Sequence, residues 1–114
     1  MKAYTLTTCS TCQRIMKEIS WSGEIQDIKV DHIDAKTLDM IAKQHGSYEA
    51  VFNKRAMKYR SMGLKYEALS EDDFRDWILK EYTFLKRPVF LINGQSYAGN
   101  SKKVVESIKA ALDA

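Results

Sequence analysis

A chain of 114 residues, 45% hydrophobic and 29% charged, is long enough for one modest core and is neither disordered nor membrane-embedded in composition. Its net charge of +3 is too slight to argue for direct nucleic-acid binding. No apolar run approaches membrane-spanning length, Pro88 is the one proline, and Met1-Lys2-Ala3-Tyr4-Thr5-Leu6 carries no apolar signal segment, so a single cytoplasmic domain with no membrane association is expected.

Residues 2–6 read as a short strand and Thr7-Thr8 as the loop after it. Cys12, Ile15, Met16 and Ile19 then recur at helical spacing on one face, and Ser22-Gly23 is the expected stop. Glu24 to Asp31, with Ile25, Ile28 and Val30, gives an imperfect strand signal. Strand, helix and strand within about thirty residues make a βαβ unit, whose strands should lie parallel. Asp34 is placed to cap a helix carrying Leu38, Ile41 and Ala42, which Gly46 ends. Residues 48–62 read as a mostly helical, basic stretch closing near Gly63. Ser70-Glu71-Asp72-Asp73 opens another helix with a capping serine and acids in its first turn, and Phe74, Trp77 and Ile78 are its expected core face.

After Arg87-Pro88, Val89-Phe90-Leu91-Ile92 is a continuous apolar run that suits a buried strand. Asn93-Gly94 is the strongest hairpin signal in the chain, and Gln95-Ser96-Tyr97-Ala98 should return antiparallel. Asn100 or Ser101 caps a last helix with Val104, Val105, Ile108 and Leu112 facing inward. The order βαβ, helical insert (about 34–82), ββα predicts an α/β, thioredoxin-like fold with a mixed four-stranded sheet, forming one domain over residues 1–114.

Cys9-Ser10-Thr11-Cys12 falls at the first strand-to-helix junction. There the unpaired N–H groups of the helix start and its positive end favour a thiolate. A thiol of pKa ~8.5 is about 3% ionised at pH 7, and one lowered to ~6 is about 90% ionised. Cys9 is therefore the expected nucleophile. Cys12, one turn on, is placed to resolve a mixed disulfide or sulfenic acid on Cys9, or else is a small apolar residue packed beside Ile15 and Ile19. A zinc site is disfavoured, because no second cysteine pair exists and His32 and His45 lie thirteen apart, outside common finger spacings. In a reducing compartment such a pair is more readily redox-active than a permanent staple.

Thr8-Cys9-Ser10-Thr11-Cys12, Asn53-Lys54-Arg55, Tyr59-Arg60, Gly63-Leu64, Leu85-Lys86-Arg87-Pro88-Val89 and Tyr97-Ala98-Gly99, in that order, resemble the arsenate-reductase-like and Spx family of thioredoxin-fold proteins over the whole chain. The resemblance implies a thiol-dependent oxidoreductase with Cys9 as redox nucleophile and Arg87 beside it, binding an oxyanion or a partner's carboxylate. It implies that Pro88, often cis in the family, follows that arginine. No cofactor is expected to be bound; glutathione or a dithiol protein is the expected reductant, through glutaredoxin or thioredoxin. Arg14, Asn53, Arg55 and Arg60 are candidate substrate-binding residues, although a basic run such as Lys54, Arg55, Lys58, Arg60 and Lys65 is more often a solvated face. Glutaredoxin-coupled arsenate reductases have two further arginines where Asn53 and Gly99 stand, a histidine where Thr5 stands, and usually no cysteine at the Cys12 position. These departures count against arsenate as the substrate and toward the Spx and small thiol-reductase branches. The alternative is therefore an Spx-like redox-sensing regulator that binds the RNA polymerase α-subunit.

Overall fold

The computed structural model describes residues 1–113. It is an α/β, thioredoxin-like fold built on a four-stranded mixed sheet: β1 (Lys2–Thr5), β2 (Glu24–Asp27), β3 (Val89–Ile92) and β4 (Gln95–Ala98), in the order β2-β1-β3-β4. β1 and β2 run parallel with Thr5 opposite Asp27, whereas β1–β3 and β3–β4 are antiparallel. Helices α1 (Ser10–Glu18), α2 (Ala35–His45), α3 (Met57–Ser61), α4 (Glu71–Lys80) and α5 (Lys102–Asp113) complete it, with short 3-10 turns at Glu49–Val51, Leu64–Tyr66 and Tyr82–Phe84. The chain divides into two compact units, one formed by residues 1–31 with the chain from Arg87 onward, the other by residues 32–86.

In the first unit α1 and α5 share one core with the sheet. Ala3, Phe90 and Ile92 from the strands meet Ile15 and Ile19 from α1 and its end, and Val105 and Ile108 from α5. Trp21 lies edge-on to Phe90 at 4.9 Å between ring centres. Asn93 (φ 50°) and Gly94 (φ 80°) both take the left-handed conformation, the backbone of a two-residue turn whose twist matches the paired strands. Ser101 is the cap of α5, its hydroxyl accepting from the Val104 N–H at 3.2 Å.

α1 ends earlier than Ser22-Gly23. Ser20 adopts φ 53°, its N–H bonds to the Lys17 carbonyl and the Trp21 N–H to the Met16 carbonyl. This is a Schellman stop with serine in the seat glycine usually takes, which is why no sequence signal marks it. β2 likewise stops at Asp27 rather than reaching Asp31. The chain turns there because the Asp27 carbonyl accepts from both Val30 and Asp31. Val30 is left 85% exposed, outside the strand it was expected to join.

In the second unit the stretch 48–62 is mostly not helical. Phe52 breaks it with an antiparallel bridge to Leu85, and only residues 57–61 form α-helix. Phe52 is the hub of an aromatic cluster, with Phe74 and Phe84 at 4.9 Å and Tyr59 at 5.6 Å. Trp77, expected in the core, is only half-buried, lying edge-on to Phe84 with Lys80 over its ring. Asp34 and Ser70 cap their helices as read, and Asp73 closes a capping box with Ser70. The Glu71 carboxylate reaches back to the N–H groups of Tyr48 and Glu49, and Asp39 holds Arg75 and the Tyr48 hydroxyl.

Candidate active site

The site is assembled at the start of α1, within the first unit. Cys9 is the N-cap residue (φ −88°, ψ 109°), and its Sγ accepts from the Cys12 backbone N–H at 3.4 Å. Sulfur thus takes the place that a serine or aspartate oxygen occupies in an ordinary cap. The first turn of α1 carries no acidic residue, so nothing offsets the positive end of the helix. Cys9 is half-buried, Cys12 is fully buried, and both thiols are free.

These surroundings separate the two thiols. Burial alone pushes the Cys9 thiol up, but the Cys12 N–H, the Cys12 thiol, the Arg87 charge and the Thr11 N–H together outweigh it and hold Cys9 below the usual cysteine value. Cys12 is pushed up to about 12, chiefly by burial; the Leu6 backbone opposes the rise, the Cys9 sulfur and its charge add to it, and the Arg87 charge opposes it to a lesser degree. Of the two, the half-buried Cys9 is the more readily ionised thiol, and the buried Cys12 beneath it stays protonated at neutral pH.

Arg87 follows directly from the second unit and precedes β3. Its side chain is half-buried, and its Nη1 is buried without a hydrogen-bond partner among the described residues. The Arg87-Pro88 peptide bond is cis, Pro88 is buried, and the Pro88 carbonyl accepts from the Gly99 N–H at 3.0 Å. Gly99 has φ 107°, a conformation L side chains rarely adopt, although open space surrounds the position. The backbone, rather than crowding, disfavours an arginine there.

Arg14 is exposed on α1 and lines a shallow groove of about 240 Å³ with Glu18, Lys102, Glu106 and Lys109. Asn53, Arg55 and Arg60 belong to the second unit. Asn53 uses its amide inside that unit, donating to the Thr83 carbonyl at 3.2 Å and accepting from the Arg55 N–H at 3.1 Å. Arg55 and Arg60 are exposed, and their basic neighbours Lys54 and Lys58 are paired with Glu49 and Glu81. The basic run is in large part the solvated face of a helix and its flanks. One contributor has no signal in the sequence: Asp27, at the end of β2, which holds the loop leading to Cys9 from twenty residues away.

Comparison with known proteins fits this arrangement. The sequence matches the model of the ArsC family over residues 4–108. The chain belongs to the ArsC family. Among solved structures it is similar to the YFFB protein, with 23% identity, 97% of each chain covered and a TM-score of 0.82. It is similar to the arsenate reductase from Vibrio cholerae, with 18% identity, 95% of this chain and 98% of that one covered, and a TM-score of 0.76. An arsenate reductase related protein from Brucella melitensis matches at 21% identity over 93% of this chain and 91% of that one, with a TM-score of 0.70. At these identities the structural likenesses establish the fold. No curated protein sequence matches the chain. Membership of the ArsC family sets the chain among oxidoreductase-like proteins that work through a thiol, and the ArsC match spans Cys9, Cys12, Arg87 and Pro88. None of the described helices is long and apolar enough to cross a membrane.

Proposed function

We propose that this chain is a cytoplasmic thiol-disulfide oxidoreductase in which the Cys9 thiolate is the nucleophile and glutathione or a dithiol protein is the reductant. The observation that carries this reading is the seat of Cys9: a sulfur at a helix N-cap, with the Cys12 N–H on it and the Arg87 charge in reach. In the forward step the Cys9 thiolate attacks one sulfur of a mixed disulfide such as a glutathione adduct. The old S–S bond breaks, a Cys9–glutathione disulfide forms, and the departing thiolate takes a proton from solvent. A second glutathione thiolate then attacks that disulfide, releasing oxidised glutathione and restoring the Cys9 thiolate. The adduct's own glutathione sulfur stays at the disulfide level throughout, and the reducing equivalent that frees the substrate thiol comes from the external glutathione thiolate.

Cys12 is a slow resolving group in this scheme, because a buried thiol near pKa 12 is almost wholly protonated. Capping Cys9 in a disulfide removes its negative charge and so part of what raises Cys12, but burial remains. External thiol is therefore the faster resolver. Arg87, with its unpaired Nη1, supplies positive charge for the carboxylates of a glutathione-like substrate. A disulfide fits better than arsenate, since Asn53 is engaged within its own unit and Gly99 offers no side chain.

Reduction of a glutathione mixed disulfide by excess glutathione tests the scheme. Cys9→Ser should abolish turnover, and Cys12→Ser should keep the larger part of it. Retained turnover in Cys9→Ser contradicts the reading.

A further inference from the structure

The turn that delivers Cys9 has little to hold it from within. Leu6 to Cys9 is closed by one backbone bond, the Cys9 N–H to the Leu6 carbonyl at 2.9 Å, and Thr7 and Thr8 are exposed. Its anchor comes from the neighbouring strand. The Asp27 Oδ2 accepts from both the Thr7 N–H, at 3.3 Å, and the Thr7 hydroxyl, while Oδ1 accepts from the Lys29 N–H at 2.9 Å. Asp27 is itself fixed: it pairs with Thr5 in the parallel ladder, and the next residue, Ile28, donates to the Thr5 carbonyl at 2.9 Å. One carboxylate thus ties the end of β2 to the middle of the turn between β1 and α1.

We propose that Asp27 is a positioning residue for Cys9, its carboxylate holding the Leu6–Cys9 turn through Thr7 so that the thiol sits on the N-cap of α1. The proposal rests on Cys9 being the reactive thiol. It uses no contact between Asp27 and Cys9, only the covalent chain from Thr7 to Cys9. The carboxylate is well suited to the task at neutral pH, because the Thr7 hydroxyl and the Lys29 N–H hold it below the ordinary aspartate range and keep it ionised.

The sign of the effect separates this role from simple electrostatics. Removing a carboxylate near a thiolate, by charge alone, makes the thiolate easier to form and lowers the thiol's titration midpoint. Loosening the turn does the opposite, because Cys9 then loses the N–H groups and helix end that favour the anion. The experiment is the pH profile of iodoacetamide alkylation of Cys9 in the wild type, Asp27→Ala, Asp27→Asn and Thr7→Val. Asp27→Ala should raise the midpoint and slow alkylation at pH 7 about three- to ten-fold. Asp27→Asn, which keeps an acceptor for Thr7 and loses the charge, should leave the midpoint in place or lower it. Thr7→Val should raise it, and adding Asp27→Ala to Thr7→Val should cost less than Asp27→Ala costs alone. If Asp27→Ala does not fold, Thr7→Val should still raise the midpoint whereas Asp27→Asn should not. A low wild-type midpoint left unmoved or lowered by both Asp27→Ala and Thr7→Val overturns the positioning role alone. A wild-type midpoint at the ordinary cysteine value overturns the proposed function instead.

Discussion

At the scale of single residues the account turns on how differently two cysteines three apart are treated. Cys9 holds the cap and Cys12 lies beneath the helix, so the hydrogen bond between their side chains lowers Cys9 and raises Cys12, whereas the Arg87 charge lowers both. The Cys12 thiol donates toward Cys9, so Cys12→Ala should raise the Cys9 midpoint, whereas Cys12→Ser, which keeps a donor, should raise it less; alkylation against pH distinguishes them. Arg87→Met should raise the midpoint and slow mixed-disulfide turnover several-fold, because the Arg87 charge favours the Cys9 thiolate. An Arg87→Met enzyme with unchanged midpoint and rate would remove Arg87 from the chemistry. Cys9 was legible in the sequence because its activation is local: a strand, a short loop and a helix start. The clamp from Asp27 was not, because a bond between residues twenty apart depends on the parallel register that sets Thr5 opposite Asp27.

At the scale of elements, helix starts could be read and some helix stops could not. Ser70 and Asp73 announce their capping box in four consecutive residues, and the structure forms it. Ser70→Ala should lower stability by about 1 kcal/mol, measured by urea unfolding, with the fold unchanged. The end of α1 is different, because Ser20 takes a left-handed conformation that its residue type does not signal. Ser20→Gly should therefore raise stability by up to about 1 kcal/mol, and a loss in the same assay would contradict the backbone account. Residues 48–62 misled for a related reason. Their apolar residues recur at spacings that suit a helix, but Phe52 is claimed by Leu85 and the aromatic cluster, and tertiary pairing outweighs propensity there. The strands were legible where the pattern was strong, as in Val89–Ile92 and its Asn93-Gly94 hairpin, and overextended at the edge strand β2.

At the scale of the whole molecule, acid is the condition that reaches both compact units. Asp27 in one and Asp39 in the other are each held below the ordinary aspartate range, Asp27 chiefly by the Thr7 hydroxyl and Asp39 chiefly by Arg75. A carboxyl whose pKa is depressed on folding contributes stability above its unfolded value and loses it as pH falls through the folded value. The share of stability owed to these two carboxyls should therefore be level from neutral pH down to about 5 and decline below about 4, seen as a urea midpoint that falls there in a Cys9→Ser background, where the Cys9 thiolate does not titrate; a midpoint that rises between about pH 5 and 3 contradicts this. The central claim remains the activation of one thiol by its place in the fold. The most direct test is the alkylation rate of wild-type Cys9 across pH, with Cys9→Ser as the blank. The account predicts a rate that rises with pH through a midpoint clearly below the ordinary ~8.5 of a cysteine and no comparable reaction in the blank. A midpoint at or above that value would contradict it.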